Sequence, residues 1–324
     1  MVSGVQSSLH PRVEATFSTD PATGNTATFG HGAKISSLER NNNIQKIWGL
    51  GSRGQTVSVE TKFTGALSID FLLSNSWIFF ALMGAGKSTG GPTYTHTYTE
   101  QNTLPSYTMQ NSLNIDPSGT NDMNVIFKGM VNTGATITSS VDAPVTVKMD
   151  WVYANEVYGK SAFIPQTAET FPPYSMGQAS LQFLSGTTIA NVQNVEFSLA
   201  QNAELIWGLG SRTATQKVEK QREYSLRSTI YLTDPTSFLA YVYSGTNAGT
   251  TPAAITEAAT LIIPFSNGTN TITLSFTGIK IDTESLPQDP AAAVMEDIGI
   301  IARGLTVTAT DTTATIPALW GADA

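Results

Sequence analysis

A seven-residue sequence occurs twice in this chain and constrains its fold more than any other feature. Ile-Trp-Gly-Leu-Gly-Ser-Arg stands at Ile47–Arg53 and again at Ile206–Arg212, an offset of 159 residues (206 − 47) in a chain of 324. The two segments also contain two of the five tryptophans. Identity over seven consecutive residues, repeated at about half the chain length, predicts a tandem duplication of whole domains, not a solenoid of short repeats.

Weaker matches extend the repeat in both directions. The offset of 159 also pairs the following residues: Asn43 with Asn202, Val59 with Val218, Glu60 with Glu219, Leu67 with Leu226, Leu73 with Leu232, Phe79 with Phe238 and Ala81 with Ala240. Phe127-Lys128-Gly129 then matches Phe276-Thr277-Gly278 at an offset of 149. The second copy is therefore expected to have a shorter loop in between, a change that costs little free energy.

The composition favours a globular β-protein and excludes several classes of function. Charged residues make up only 13% of the chain, whereas 40% of it is hydrophobic, which argues against disorder. The chain has no cysteine, and this excludes disulfides and cysteine-bound metals. No stretch reaches the ~18 consecutive apolar residues of a membrane span. Such neutral polar chemistry suits a protein whose surface is largely covered by copies of itself.

The net charge of −8 is divided unevenly between the two halves. Residues 1–165 carry 10 basic and 11 acidic side chains, whereas residues 166–324 carry 7 and 14, so the halves stand near −1 and −7. A phosphate backbone is bound by clustered Lys and Arg, and this balance therefore predicts no affinity for nucleic acid. A mildly repulsive wall would, however, let a polyanion pass without sticking.

Alternation of apolar and polar residues predicts strands along most of the chain. The longest alternating stretch, Val57–Asp70, predicts one strand bent at Gly65 that places Val57, Val59, Leu67 and Ile69 on a common face. Shorter strands are predicted at Thr93–Thr99, Ser106–Ile115, Asn124–Val131, Val145–Val152, Leu261–Phe265, Thr271–Ile281 and Gly304–Ala309.

Capping residues predict one short helix in each copy. In the first copy, Ser74 or Asn75 is the expected N-cap and Gly84 the stop. In the second copy, Asp234-Pro235 begins the helix and Gly245 ends it. The predicted fold class is therefore mainly β, with two tandem antiparallel β-sandwich or open-barrel domains that each carry one short helix.

The predicted domains have the following boundaries: an extended N-terminal arm at 1–33, a first domain at 34–158, a linker at 159–177 and a second domain at 178–324. Residues 288–298 lack a close partner in the first copy, and they are expected to form an insertion in the second.

No motif supports an enzyme, a cofactor or a metal site. Ala81–Ser88 resembles a phosphate-binding loop, but a helix is predicted before it and Thr89–Thr93 cannot begin a long helix, so a turn is expected. The three histidines His10, His31 and His96 are far apart and lack ligand spacing. Asn267-Gly268 is expected to be a hairpin turn, although it also fits a glycosylation sequon.

The repeated segment itself is the best candidate site. One interpretation is a strand end at which the tryptophan fills the core and the glycines permit a bend. The other is a subunit contact with tryptophan anchors and paired arginines. The charges that follow the second copy have mixed signs, which favours a paired interface. The interface candidates are Trp48, Gly49, Leu50, Gly51, Arg53, Trp207, Gly208, Leu209, Gly210, Arg212, Lys217, Lys220, Arg222 and Glu223.

The order of these features resembles a known family. A first strand is followed by Asn-x-x-x-Ile-Trp-Gly-Leu-Gly-Ser-Arg, a long alternating strand, a short helix, Phe-x-Gly and the segment Ala143–Ala154. This order is similar to that of the tail tube proteins of tailed viruses, which resemble the inner-tube proteins of contractile injection systems.

The resemblance implies an architectural role in the virion tail, with assembly in the host cytoplasm. Most members have one such domain and form hexameric rings, so a two-domain chain implies a pseudo-sixfold ring of three copies. Stacked rings would form a β-lined lumen through which DNA slides during genome ejection without specific binding. Residues 1–33 and the long hairpins would lock each ring to the next.

The implied partners are further copies of the chain and other tail proteins, such as the tape measure, terminator and baseplate proteins. The alternative function is a secreted or surface-layer β-sandwich module for binding or adhesion. The first eight residues lack the basic and apolar blocks of a signal peptide, and this counts against that alternative.

Overall fold

The computed structural model describes residues 7–21, 28–51, 53–116, 118–165, 168–175, 181–183, 187–189, 192–231, 258–268, 270–285 and 295–321. Antiparallel strands form nearly all of its regular structure, and they confirm the predicted mainly β sandwich. The elements of the first half are β1 (Ser7–Val13), β2 (His31–Asn41), β3 (Ile44–Trp48), β4 (Gln55–Glu60), β5 (Thr64–Leu72), α1 (Ile78–Met83), β6 (Gly84–Gly90), β7 (Tyr94–Glu100), β8 (Tyr107–Leu113), β9 (Asp122–Ser140), β10 (Thr146–Tyr153) and β11 (Asn155–Ser161).

The second half is built from strands alone in the residues described there. They are β12 (Leu181–Phe183), β13 (Thr187–Ile189), β14 (Val192–Ala200), β15 (Glu204–Ile206), β16 (Gln216–Val218), β17 (Glu223–Tyr231), β18 (Ala258–Ser266), β19 (Thr271–Ser285), β20 (Met295–Ala302) and β21 (Gly304–Asp311).

One sheet runs through both halves, and we call it the long sheet. Its strand order is β2-β5-β10-β9-β14-β17-β20-β19, and every neighbouring pair is antiparallel. Burial alternates along its strands: in β5, Leu67, Ile69 and Phe71 face the core, whereas Ser68 and Asp70 face outward. Period-two alternation of this kind is what a sheet with one buried face requires.

Two further sheets cover the buried face of the long sheet. The N-terminal sheet has the order β1-β8-β9-β11, and the C-terminal sheet has the order β6-β7-β21-β19-β18-β12-β13. Aromatic rings meet across the layers. Tyr107 and Trp151 lie 5.6 Å apart, and Phe197 and Phe276 lie 5.0 Å apart, both in edge-on geometry. These contacts join the layers into sandwiches with a shared core.

The strands β9 and β19 each pass from one sheet to another at a glycine. Gly129 and Gly278 have φ angles of +62° and +65°, a conformation that favours glycine because it has no Cβ. They are the glycines of the matched Phe-x-Gly segments. Before this bend, β9 belongs to the N-terminal sheet and β19 to the C-terminal sheet; after it, both belong to the long sheet.

The strand pairings of the two halves correspond in register. Residues Glu39 and Ala66 pair in the first half as Ser198 and Ser225 do in the second, at the offset of 159. β9 has a bulge between Gly134, which pairs with Asp150, and Asn132, which pairs with Trp151. β19 has the same bulge between Thr283 and Ile281, the positions 149 residues further along the chain. The division into two tube domains with the boundaries given above stays a prediction.

Most predicted strands coincide with observed ones, but the longest does not. Val57–Asp70 is two strands, β4 and β5, separated at Thr61–Phe63. β4 pairs only with β3 in a hairpin, whereas β5 enters the long sheet. Val57 and Val59 are consequently 51% and 43% exposed, so the prediction of one continuous buried face is wrong for the β4 portion.

The helix α1 ends as predicted but begins differently. Gly84 closes it with a φ of +96°, but its N-cap is Trp77, without a capping side chain. Asn75 instead accepts a hydrogen bond from the Trp77 N–H at 3.3 Å and donates one to Glu169. Gly84–Gly90 is the strand β6, so the expected turn at Ala81–Ser88 is wrong, and no helix follows to hold a phosphate. The predicted second helix lies outside the described residues.

Three segments that were predicted to stand apart contain residues packed against the sandwiches. Within 1–33, β1 pairs with β8 and buries Leu9 and His10. Within 159–177, Tyr174 is buried and exchanges backbone hydrogen bonds with Leu73 and Val145. The end of the expected insertion at 288–298 belongs to β20, which pairs with β17 and β19. β20 therefore takes the place that β10 has in the first half.

Asn267-Gly268 forms the turn between β18 and β19, with a φ of +95° at Gly268, as the turn interpretation required. Within the described part of the chain, no helix has the length and hydrophobicity needed to cross a membrane.

Gly65 offers a test of the packing between β5 and β10. A Cβ at this position would lie 2.1 Å from the Tyr153 ring, so Gly65→Ala is expected to lower the free energy of unfolding by about 1–3 kcal/mol. Gly159→Ala is the control because no atom lies within 4 Å of its added Cβ. Urea unfolding of both variants measures the difference, and equal midpoints would contradict the packing described.

Candidate subunit interface

The repeated segment forms the tip of a hairpin in each half. β3 and β4 make the first hairpin, and β15 and β16 make the second. Gly51 and Gly210 both have a φ of +83° at the tips, so equal sequences adopt the same turn. Leu50 and Leu209 are fully exposed there. Each tip thus places a large apolar side chain in solvent at an equivalent position.

The second hairpin packs against the first half through Trp207. Its indole Nε1–H donates a hydrogen bond to the Phe63 carbonyl oxygen at 3.0 Å. The Lys62 ammonium lies 4.6 Å from the ring centroid, within the range of a cation–π interaction. Trp207 therefore anchors a contact between the halves.

Arg212, at the end of the repeated segment, adds polar contacts to the same place. Its Nη1 lies 2.6 Å from Glu60 Oε2, and its Nη2 donates to Asn42 Oδ1 at 3.1 Å. The Phe63 N–H donates to the Arg212 carbonyl oxygen at 2.7 Å. Both charged groups are about half exposed, so this ion pair fixes the orientation of the hairpin more than it stabilises the chain.

A small apolar cluster lies beneath these contacts. Val131 and Ala154 of the first half meet Ala203, Leu205 and Ala214 of the second, and all are buried. Small side chains let the hairpin approach the end of the first sandwich closely. The cluster is separate from the main core. We use the name internal joint for this cluster together with the contacts of Trp207 and Arg212.

Strand pairing continues the internal joint into the long sheet. β9 and β14 pair from Gly134↔Ala200 to Ser140↔Asn194. The side chains of Thr136 and Ser198 come within 3.4 Å of each other on the outward face. β14 of the second half thus extends the sheet of the first half at the edge of β9.

The first hairpin has the same shape but a different environment. Trp48 is 59% exposed, and Ile44, Ile47 and Val57 are also exposed. The interpretation that the repeated tryptophan fills the core is therefore wrong for Trp48. Arg53 is exposed as well. The segment that packs against the first half in the second hairpin is thus exposed in the first hairpin.

The charged residues that follow the second repeated segment are, with one exception, engaged within the chain. Lys217 pairs with Glu219, Lys220 pairs with Glu204, and Arg222 Nη1 lies 3.3 Å from Glu100. Glu223 differs, because it lies on the outward face of β17.

The carboxylate of Glu219 is held in its ionised form. Burial acts to raise its pKa, but hydrogen bonds from Lys217 and from the Leu104 N–H outweigh burial, so the pKa lies below its ordinary value. Glu219 is the counterpart of Glu60, which pairs with Arg212 in the internal joint.

The long sheet has two edge strands, β2 and β19, which are not counterparts of each other. At one end, β2 pairs with β5 alone among the described strands. At the other, residues Lys280–Ser285 of β19 pair on one side with β20, and no described strand takes the other side. β2 corresponds to β14 and β19 corresponds to β9, the two strands that meet in the internal joint. The two edges are therefore complementary.

The outward face of the long sheet is polar and carries more acidic than basic side chains. Thr, Ser, Gly and Ala occupy much of its centre, as in the row Thr136, Ser198 and Ser225. The acidic residues on the face include Glu39, Asp70, Asp150, Glu196, Glu223 and Asp297, and the basic ones include Lys34, Lys148, Arg227 and Lys280.

The histidines have structural contacts. His10 lies 3.0 Å from Ser8 Oγ, and burial lowers its pKa. His31 contacts the Phe171 carbonyl oxygen at 2.8 Å. His96 lies between Ser88 Oγ and Asp311 Oδ1, at 2.8 and 3.1 Å, and joins β7 to β21. Across the residues that the structure describes, no three His, Asp or Glu side chains come together as a metal site.

Together these features define a class: a β-sandwich protein whose long sheet ends in two different edge strands and whose two hairpins carry exposed apolar side chains. The family comparison identifies the class further. The chain matches the family described as phage tail tube protein over residues 4–310, and it therefore belongs to that family. No curated protein matches it. The family supports a structural role in the virion tail, and it is not typically enzymatic.

The two tryptophans give a matched test of the internal joint. Trp207→Phe removes the donor to the Phe63 carbonyl oxygen and is expected to cost about 0.5–1.5 kcal/mol of unfolding free energy. Trp48→Phe should leave the stability of the single chain within about 0.5 kcal/mol, because the indole is exposed. Denaturant unfolding of dilute protein measures both, and equal losses would contradict the asymmetry.

Proposed function

We propose that this chain is a tail tube subunit that associates head to tail into a closed ring of three copies. The internal joint is the observation that carries the proposal. In it, the edge of β14 pairs with the edge of β9. The strands at the two ends of the long sheet, β2 and β19, are the counterparts of β14 and β9, and their outer edges have no partner among the described strands. A contact between unlike surfaces forms a ring when the rotation closes.

Ring closure would remove the exposed strand edges. Unpaired N–H and C=O groups at an edge invite uncontrolled association, and a ring gives each of them a partner. Six sandwiches from three chains would then surround a channel with pseudo-sixfold symmetry. The equal register of corresponding strands supports this symmetry, because each joint around the ring can have the same geometry.

We further propose that the outward face of the long sheet lines the channel. Its short polar side chains and excess of carboxylates would repel phosphates weakly and offer few cationic contacts. A DNA duplex could therefore slide through without being held, as genome ejection requires.

Contacts between rings are assigned to the hairpin tips. Leu50 and Leu209 are fully exposed and repeat around the proposed ring, so they offer apolar points for the adjacent ring. β1 is less suited to this role than expected, because it is paired within its own chain. The ends of the tube would meet the tape measure, terminator and baseplate proteins, and assembly would occur in the host cytoplasm.

Electron microscopy of the purified chain tests the ring. Rings or hollow tubes with threefold symmetry after averaging are the expected result. A protein that remains monomeric at high concentration under conditions that favour assembly would refute the proposal.

Charge reversal on the outward face tests the channel. Glu223→Lys would place three added cations in each ring, and tubes of this variant are expected to retain short duplex DNA at low salt and to release it as salt rises. Asp142→Lys, with the same change of charge in the turn after β9, is the control. Cosedimentation measures retention, and equal retention by both variants would contradict the assignment of the channel wall.

A further inference from the structure

We infer that β2 of one chain pairs with β19 of a neighbouring chain in a fixed register, Glu39 opposite Ser285, and that the first hairpin then places Arg53 against Glu219 of that neighbour. The inference rests on the proposed ring and specifies which residues would face each other at its contact. We call this contact the external joint.

The register follows from the correspondence of the strands. In the internal joint, Thr136 lies opposite Ser198. Adding 149 to the first position gives Ser285, and subtracting 159 from the second gives Glu39. The strand pairings of the structure support both offsets. β19 pairs with β20 in the register in which β9 pairs with β10, which gives the offset of 149. β2 pairs with β5 in the register in which β14 pairs with β17, which gives the offset of 159.

The hairpin contact follows from the same two correspondences. Trp48 takes the place of Trp207, and its indole N–H would donate to the carbonyl oxygen of Arg222, the counterpart of Phe63. Arg53 takes the place of Arg212 and would meet Glu219, the counterpart of Glu60. The charges remain opposite in the new pair, and the Glu219 carboxylate is ionised in the free chain. Charge complementarity at this one pair therefore accompanies the correspondence of the strands.

The external joint is more polar than the internal one. The positions of Leu199 and Leu205, both buried, are taken by Arg40 and Lys46. On the opposing side, the positions of Val131 and Ala154 are taken by Lys280 and Arg303. The apolar cluster of the internal joint is thus replaced by cations around Ile44 and Ile301. The occupant is a second copy of this chain, because only that copy carries the matching edge and hairpin.

Cysteine pairing tests the register, and the natural absence of cysteine makes the test clean. Glu39→Cys combined with Ser285→Cys should form a disulfide between chains after assembly and oxidation, because directly opposed residues in a sheet lie within disulfide range. Both positions are exposed, so the free chain should fold. Denaturing electrophoresis without reductant is expected to show covalent dimers and a closed trimer as the largest product.

The matched control is Glu39→Cys combined with Thr283→Cys. This pair is two residues out of register, and its Cα atoms would lie at about 8 Å, beyond the reach of a disulfide. Tubes that form without cross-linking of the first pair, or with equal cross-linking of both pairs, would overturn the inferred register and leave the ring standing. If neither variant nor the unmodified chain assembles, the ring and the inference fail together.

Arg53→Ala tests the hairpin contact independently. The concentration needed for assembly is expected to rise about threefold, because the joint loses the ion pair between Arg53 and Glu219 while Glu219 keeps Lys217 as its partner within the chain. The unfolding midpoint of the dilute chain should not change, since Arg53 is exposed there. An unchanged assembly concentration would remove Arg53 from the joint.

Discussion

The pairing of β9 with β14 is the interaction on which the rest of the architecture depends. It exists because β9 is long enough to serve two sheets and turns from one to the other at Gly129. Once β14 has joined that edge, the long sheet crosses from one half to the other without interruption. An antiparallel sheet extended in this way still has two ends, and here those ends, β2 and β19, are the counterparts of β14 and β9. A single strand pairing therefore determines the internal architecture, and in the proposed ring it would also set the geometry of the contact with a neighbour.

The repeated segment shows how one local sequence produces one local fold and two environments. Gly51 and Gly210 adopt the same φ, and both adjacent leucines point into solvent. Trp207 nevertheless packs on the first half, whereas Trp48 is exposed. Local sequence determines the turn because the conformation depends on nearby backbone sterics. The burial of the tryptophan depends on what lies beside the hairpin, and only the second hairpin has the other half of its own chain there.

The sequence predicts what is local or periodic and misses what is long-range. Alternation correctly identified Leu67 and Ile69 as core residues, and Asn267-Gly268 as a turn. The same alternation failed at Val57 and Val59, since a periodic pattern shows that one face is apolar but not what covers it. The contact of His96 with Asp311 spans 215 residues and leaves no sequence signal. The proposed subunit contact rests on the repeat for its symmetry and on the strand registers for its pairing of residues.

The difference between the two joints has a physical reason in how each would form. The internal joint forms within one chain at high effective concentration, so its apolar residues are buried as the chain folds. The surfaces of the external joint must wait in solvent until a neighbour arrives. Extensive exposed apolar surface would promote uncontrolled aggregation during that time. Cations at Lys46, Lys280 and Arg303 reduce that risk, and the Arg53–Glu219 pair together with the strand register would supply orientation. The greater polarity of the external joint is thus what a subunit needs if it is to stay dispersed before it assembles.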